Sequence, residues 1–60
     1  MTRKDYVLIA STIQHQFSYY EESTPEVKAL KELALRMAYD LSKDNDRFNS
    51  ARFLDACGVK

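Results

Sequence analysis

Apolar residues recur along this chain at intervals of three and four, which is the spacing of one face of an α-helix. The first stripe contains Tyr6, Ile9, Ala10, Ile13, Phe17 and Tyr20. A polar break at residues 21–23 follows, and the same spacing returns from Val27 to Leu41. The alternation of apolar and polar residues that marks a half-buried strand is absent. The pattern predicts two amphipathic helices joined by a polar turn.

Capping residues predict where these two helices begin. Thr2 and Asp5 have the spacing of a capping box, in which the side chain of each residue satisfies an amide at the helix start. Thr24 is a good N-cap, and Pro25 suits the first helical position because its missing N–H would have no partner there. From Pro25 to about Lys43 the residues are strong helix formers.

A short third helix is predicted at the C-terminal end. Residues 43–46 form a polar break, Asn49 is a plausible N-cap, and Gly58 falls where a left-handed residue ends a helix over 50–57. We therefore expect a single all-α domain over residues 1–60. It is a three-helix mini-domain with two antiparallel amphipathic helices and a short C-terminal helix. In that arrangement Phe48 and Phe53 plug the open end of the helical hairpin.

The composition excludes several classes of protein. The chain has 60 residues, a formal net charge of zero, one His and one Cys. A domain of this size is marginally stable, yet Cys57 has no second cysteine with which to form a disulfide. One His and one Cys do not make a zinc site, and we expect no metal and no cofactor. The longest apolar run, Tyr6–Ala10, is too short for a signal sequence or a membrane span, which predicts a soluble intracellular protein.

The two ends of the chain carry recognisable motifs. T-R-K-D-Y-V-L-I-A-S-T-I at residues 2–13 and D-R-F-N-S-A-R-F-L-D-A-C-G-V at residues 46–59 resemble small proteins encoded by tailed bacteriophages. Those proteins share an R/K-K-D-Y-x-x-I-A opening and an F-[D/N]-x-x-R-F-L-x-A-C-G tail. The resemblance covers about half the chain and carries over no catalytic or binding role. It implies a setting, which is the cytoplasm of an infected bacterium.

Residues capable of chemistry lack the partners that catalysis needs. His15 lies between two glutamines off the main apolar stripe, with no nucleophile at a spacing that favours pairing. Cys57 falls in the last turn of the third helix, where the helix dipole opposes a thiolate, so we interpret it as a small buried hydrophobe. The acid pairs Glu21–Glu22 and Asp44/Asp46 lie in polar breaks. We therefore expect that the chain is not an enzyme.

Surplus apolar residues favour a protein partner. Only one of the adjacent residues Tyr19 and Tyr20 can face the core, and Leu35 lies outside the stripe of the second helix. Tyrosine is enriched at protein interfaces. We predict a candidate partner surface that contains Tyr19, Tyr20 and Leu35, which binds a host or phage protein or forms a homodimer.

Nucleic-acid binding is the alternative function. Arg47, Ser50 and Arg52 cluster around the start of the third helix, which is the end that reads bases in a helix-turn-helix. Zero net charge and the aspartates nearby reduce the attraction for phosphates, so a small DNA-binding regulator is less favoured than a protein-binding role.

Overall fold

The structure, a computed structural model that describes residues 1–59, contains three α-helices. They are α1 (Arg3–Phe17), α2 (Pro25–Asp44) and α3 (Ser50–Cys57). No strand occurs within residues 1–59. The prediction of an all-α, three-helix mini-domain is therefore confirmed, and the bounds of α3 are those that its capping residues predicted.

α1 ends earlier than the apolar stripe indicated. Three successive amides beyond the last turn, those of Ser18, Tyr19 and Tyr20, donate to carbonyls three residues back at 3.1–3.2 Å. The Ser18 hydroxyl also donates to the carbonyl of His15. These short-range bonds tighten the chain into a turn, because they satisfy the last carbonyls without continuing the helix. Tyr20 therefore lies outside α1, and its place in the helical stripe was wrong.

Caps secure the other helix ends. The Asp5 carboxylate accepts hydrogen bonds from the Thr2 amide at 2.9 Å and from the Thr2 hydroxyl at 3.2 Å. The Thr24 hydroxyl accepts from the amide of Val27 at 3.3 Å and opens α2. At the end of α3, Gly58 has a φ of 88°, a left-handed conformation that costs other residues strain.

Contacts at the two ends of the molecule define the order of the helices. The side-chain amide of Asn45, at the end of α2, donates to the hydroxyl of Tyr6 near the start of α1 at 3.4 Å, so α1 and α2 are antiparallel. Phe48, before α3, packs edge-on against the Tyr6 ring with centroids 4.7 Å apart. Gly58, after α3, lies beside Gln14 and Phe17 near the end of α1. α3 therefore runs parallel to α1.

α3 is the central packing element rather than only a clamp. It contacts both longer helices, and α1 contacts α3 more extensively than it contacts α2. Phe53 is buried at 4% exposure, whereas Phe48 is half-buried at the open end of the hairpin. The continuous core is small and contains Ala10, Ile13, Ala34, Ala38, Phe53 and Cys57. Three of these six residues are alanines, whose small side chains leave little apolar volume inside.

Candidate interaction surfaces

Tyr19 projects away from the helix packing. Its side chain is 67% exposed, and its ring lies edge-on to His15 with centroids 5.4 Å apart. The Tyr19 hydroxyl and His15 Nε2 are 3.3 Å apart. His15 is itself exposed, so this pair extends the solvent face of α1 beyond the last helical turn.

Tyr20 takes a different direction, toward the start of α2. Its hydroxyl accepts a hydrogen bond of 3.5 Å from Gln16 Nε2. Tyr20 lines a shallow depression with Phe17, Glu22, Val27, Lys31 and Gly58. Its exposed fraction of 38% is the lower of the two adjacent tyrosines. The structure therefore separates Tyr19 and Tyr20, although the sequence placed both in one surface.

Leu35 belongs to an exposed apolar pair on α2. Leu35 is 51% exposed, and Tyr39, one helical turn later on the same face, is 59% exposed. Lys43 Nζ lies 5.2 Å from the centroid of the Tyr39 ring, within the range of a cation–π contact. Lys31 lies one turn before Leu35 and shares the depression with Tyr20. We name Tyr20, Lys31, Leu35 and Tyr39 the α2 surface.

A groove opens between the N-terminal halves of α1 and α3, with a cavity volume of about 390 Å³. Tyr6, Val7 and Ala10 of α1 form part of its lining, and Phe48 and Phe53 lie across from them. Within the aromatic group, the Phe48 and Phe53 rings have centroids 5.3 Å apart. The floor of the groove is therefore apolar and closely packed.

Three arginines line the same groove, namely Arg3, Arg47 and Arg52. All three are exposed, and none of the lining residues in the described part of the chain is acidic. Within residues 1–59 the one ion pair joins Arg36 to Asp40 at 3.6 Å, so these three guanidinium groups have no carboxylate partner in the described chain. We name this site the arginine groove.

Ser50, the third residue of the nucleic-acid alternative, faces another helix. Its hydroxyl lies 3.5 Å from the carbonyl oxygen of Ala38, to which it donates. The backbone amides of Arg47 and Arg52 are likewise held, by the side chains of Asn45 and Asn49 at 3.1 and 3.0 Å. The structure thus brings Arg47 and Arg52 together in the groove and turns Ser50 toward α2.

The groups with potential for chemistry lie in different environments. Cys57 is fully buried in the core, and burial raises the pKa of its thiol above the ordinary range. Its sulfur is therefore both covered and protonated at neutral pH. His15 is exposed near the end of α1. Residues 1–59 contain no group of three or more His, Cys, Asp or Glu side chains placed to hold a metal ion.

Sequence reasoning did not find Arg3 or Tyr39. Arg3 is far from Arg47 and Arg52 in sequence, and only the parallel packing of α1 and α3 brings the three together. The sequence did contain a signal for Tyr39, because its spacing of four from Leu35 places both residues on one helical face.

None of the helices within residues 1–59 has the length and apolar character required to span a membrane. The chain matches no family model, no curated protein and no solved structure.

Proposed function

We propose that this chain is a non-catalytic binding protein that covers part of a protein partner with its α2 surface. The observation that supports this proposal is that as many large apolar side chains are exposed as hydrophobic residues are buried. Across residues 1–59, seven hydrophobic residues are buried, and three of those are alanines. A further seven large hydrophobic side chains are more than half exposed: Met1, Val7, Leu8, Tyr19, Leu33, Leu35 and Tyr39.

Single exposed apolar residues are normal in soluble proteins, and clusters are the informative feature. Leu35 and Tyr39 form such a cluster, because one helical turn separates them on one face of α2. Lys31, one turn before Leu35, lines the depression that also contains Tyr20. Tyr39 loses little side-chain entropy on binding, since its ring already rests against Lys43. The pair therefore has the character of a binding anchor. The partner we propose is a host or phage protein in the cytoplasm of an infected bacterium, a setting that rests on the resemblance of the two chain ends.

Site-specific photo-crosslinking tests this proposal. A benzophenone amino acid at position 35 should give one discrete adduct with a protein in cells that express the chain, and Tyr39→Ser should abolish it. The matched control places the same group at Asp40, whose exposed side chain lies on a different side of α2. Equal labelling from both positions, or no adduct from position 35, would contradict the proposal. An adduct of two copies would identify self-association as the binding mode.

The DNA-binding alternative retains a specific basis in the guanidinium groups of Arg47 and Arg52, which form no ion pair within residues 1–59. It is less well supported, because Ser50 is turned toward Ala38 and the arginines lie beside Asp46 and Asp55 in sequence. A regulator would bind a DNA duplex with steep salt dependence, and Arg47→Gln with Arg52→Gln would remove that binding. A mobility-shift titration of a DNA duplex with the wild-type chain and with this double variant separates DNA binding from protein binding.

A further inference from the structure

We propose that the arginine groove binds the Tyr19–Glu22 turn of a second copy of the chain, so that copies associate head to tail. This contact does not use the Leu35–Tyr39 pair, and it shares only Tyr20 with the α2 surface. The inference rests on the proposed function only because both treat the chain as a binding protein.

The groove is suited to an acidic segment that also carries an apolar or aromatic side chain. Arg3, Arg47 and Arg52 present guanidinium groups that have no carboxylate partner within residues 1–59. A guanidinium pairs with a carboxylate through two parallel hydrogen bonds, which makes arginine a specific receptor for this group. Val7, which lines the same groove and is 58% exposed, contributes apolar surface. The volume of about 390 Å³ is within the range of small binding pockets.

The turn between α1 and α2 has the complementary chemistry. All residues from 18 to 23 are exposed, and the sequence Tyr19-Tyr20-Glu21-Glu22 places two aromatic side chains beside two carboxylates. Neither Glu21 nor Glu22 takes part in an ion pair within residues 1–59. Backbone hydrogen bonds hold the turn at both ends, from Tyr20 to Phe17 and from Thr24 to Glu21, each at 3.2 Å. A turn that is already ordered loses less conformational entropy when it binds.

The two sites lie at opposite ends of the molecule. The groove is lined by the first half of α1, through Arg3, Tyr6, Val7 and Ala10, whereas the turn follows Phe17 at the other end of that helix. A 15-residue helix is about 22 Å long, within a molecule whose longest dimension is 33 Å. One copy therefore cannot fill its own groove with its own turn. Contact between two different surfaces is heterologous, so it extends to a third copy and produces a ring or an open chain.

The groove is less suited to nucleic acid or to a free phosphate. Bases bind single-strand sites by stacking on free aromatic faces, but Tyr6, Phe48 and Phe53 pack against one another. A duplex is a long polyanion that would extend beyond the groove, and Asp46 and Asp55 lie close to Arg47 and Arg52 in sequence. A free phosphate would use the arginines and leave the exposed Val7 in water. A short acidic turn with an aromatic side chain uses both parts of the site.

Two neutralising variants and their mixture test the proposal. One variant removes charge from the groove (Arg47→Gln with Arg52→Gln), and the other removes charge from the turn (Glu21→Gln with Glu22→Gln). In sedimentation equilibrium over a concentration series, the wild-type chain should grow beyond a dimer. Each variant alone should associate at least about tenfold more weakly, and an equimolar mixture should stop at a 1:1 pair. That limit follows because the mixture contains one functional groove and one functional turn. The 1:1 pair also shows that both variants are folded.

Salt dependence gives a second measurement on the wild-type chain. Raising the salt concentration from about 0.1 M to about 1 M shortens the Debye length from about 10 Å to about 3 Å, and we expect the association constant to fall by roughly tenfold. A wild-type chain that stays monomeric at millimolar concentration overturns the proposal. Binding of a DNA duplex that is lost in the Arg47→Gln with Arg52→Gln variant would overturn it as well.

A third variant, Leu35→Ser with Tyr39→Ser, separates this inference from the proposed function. If self-association persists in both charge variants and is lost in this one, copies meet through the α2 surface. The head-to-tail inference then fails while the proposed function stands. If the charge variants behave as expected but crosslinking from position 35 yields nothing, the head-to-tail inference stands and the proposed function fails.

Discussion

The hydroxyl of Tyr6, in the second turn of α1, accepts a hydrogen bond of 3.4 Å from the side-chain amide of Asn45, 39 residues later in the chain. The same Asn45 side chain accepts from the amide of Arg47 at 3.1 Å through its oxygen. One residue therefore ties the end of α2 both to α1 and to the segment that leads into α3. This contact closes the open end of the hairpin, where α1 and α2 have no covalent connection.

We predict that Tyr6→Phe lowers the free energy of unfolding by about 0.5–1.5 kcal/mol, because it removes only the hydroxyl and keeps the ring against Phe48. Asn45→Ala should cost more, since it breaks the bonds to both Tyr6 and Arg47. Urea unfolding of the two single variants and the double variant gives the coupling between the residues.

The control for this cycle is Thr12→Ala, an exposed position on α1 whose hydroxyl bonds only to the nearby carbonyl of Leu8. That change should stay within about 0.5 kcal/mol of the wild type. Strictly additive effects of Tyr6→Phe and Asn45→Ala would show that the hydrogen bond contributes nothing to stability.

A second prediction concerns Cys57, which is fully buried in the last turn of α3. Burial raises the pKa of its thiol, because the low-polarity surroundings disfavour the thiolate. In the unfolded chain the thiol ionises near its ordinary pKa of about 8.5. The stabilising contribution is therefore complete below that pH and is lost as the pH rises toward the higher folded-state pKa.

Urea unfolding between about pH 7 and pH 9.5 should show this loss of stability, because the range spans the ordinary thiol pKa. Cys57→Ala should remove the pH-dependent loss, because the variant has no thiol to ionise. The Ala variant should also be less stable at pH 7 by about 1–2 kcal/mol, because it leaves a small cavity. In the native protein a thiol reagent should react only as fast as the fold opens. Rapid labelling of the folded chain would contradict the burial of Cys57.

Local signals made the helix boundaries predictable. Thr24, Asn49 and Gly58 each act on backbone groups within four residues, so their meaning does not depend on the rest of the fold. The end of α1 was the exception. The apolar spacing continues through Tyr20, but Ser18 and the residues after it bond to carbonyls three positions back and end the helix.

The arginine groove was not predictable, because it depends on which helices pair. An apolar stripe shows which side of a helix is buried but not which neighbour it meets, and a two-helix hairpin with a clamp would have placed α1 mainly against α2. In the structure α1 lies mainly against α3, which places Arg3 and Arg52 on the lining of one groove. The exposure of Leu35, in contrast, follows from helical geometry alone and was predicted correctly.

The last prediction concerns Asn49, whose side-chain oxygen accepts the amide of Arg52 at 3.0 Å and begins α3. A helix of eight residues does not persist alone in water, so α3 depends on this cap and on its packing. Asn49→Ala should cost about 1 kcal/mol, whereas Asn49→Ser keeps an N-cap oxygen without adding charge and should cost a few tenths at most.

The unfolding transition of the Asn49→Ala variant also tests the central role of α3. Phe53 and Cys57 of α3 belong to the same continuous core as Ala10 of α1 and Ala38 of α2, so α3 cannot detach without exposing that core. Asn49→Ala should therefore shift a single cooperative unfolding transition, with amides of all three helices exchanging at the same reduced free energy. If α3 amides alone lost protection while α1 and α2 kept theirs, the longer helices would form a stable pair without α3. The sparse contact between α1 and α2 gives no basis for such a pair.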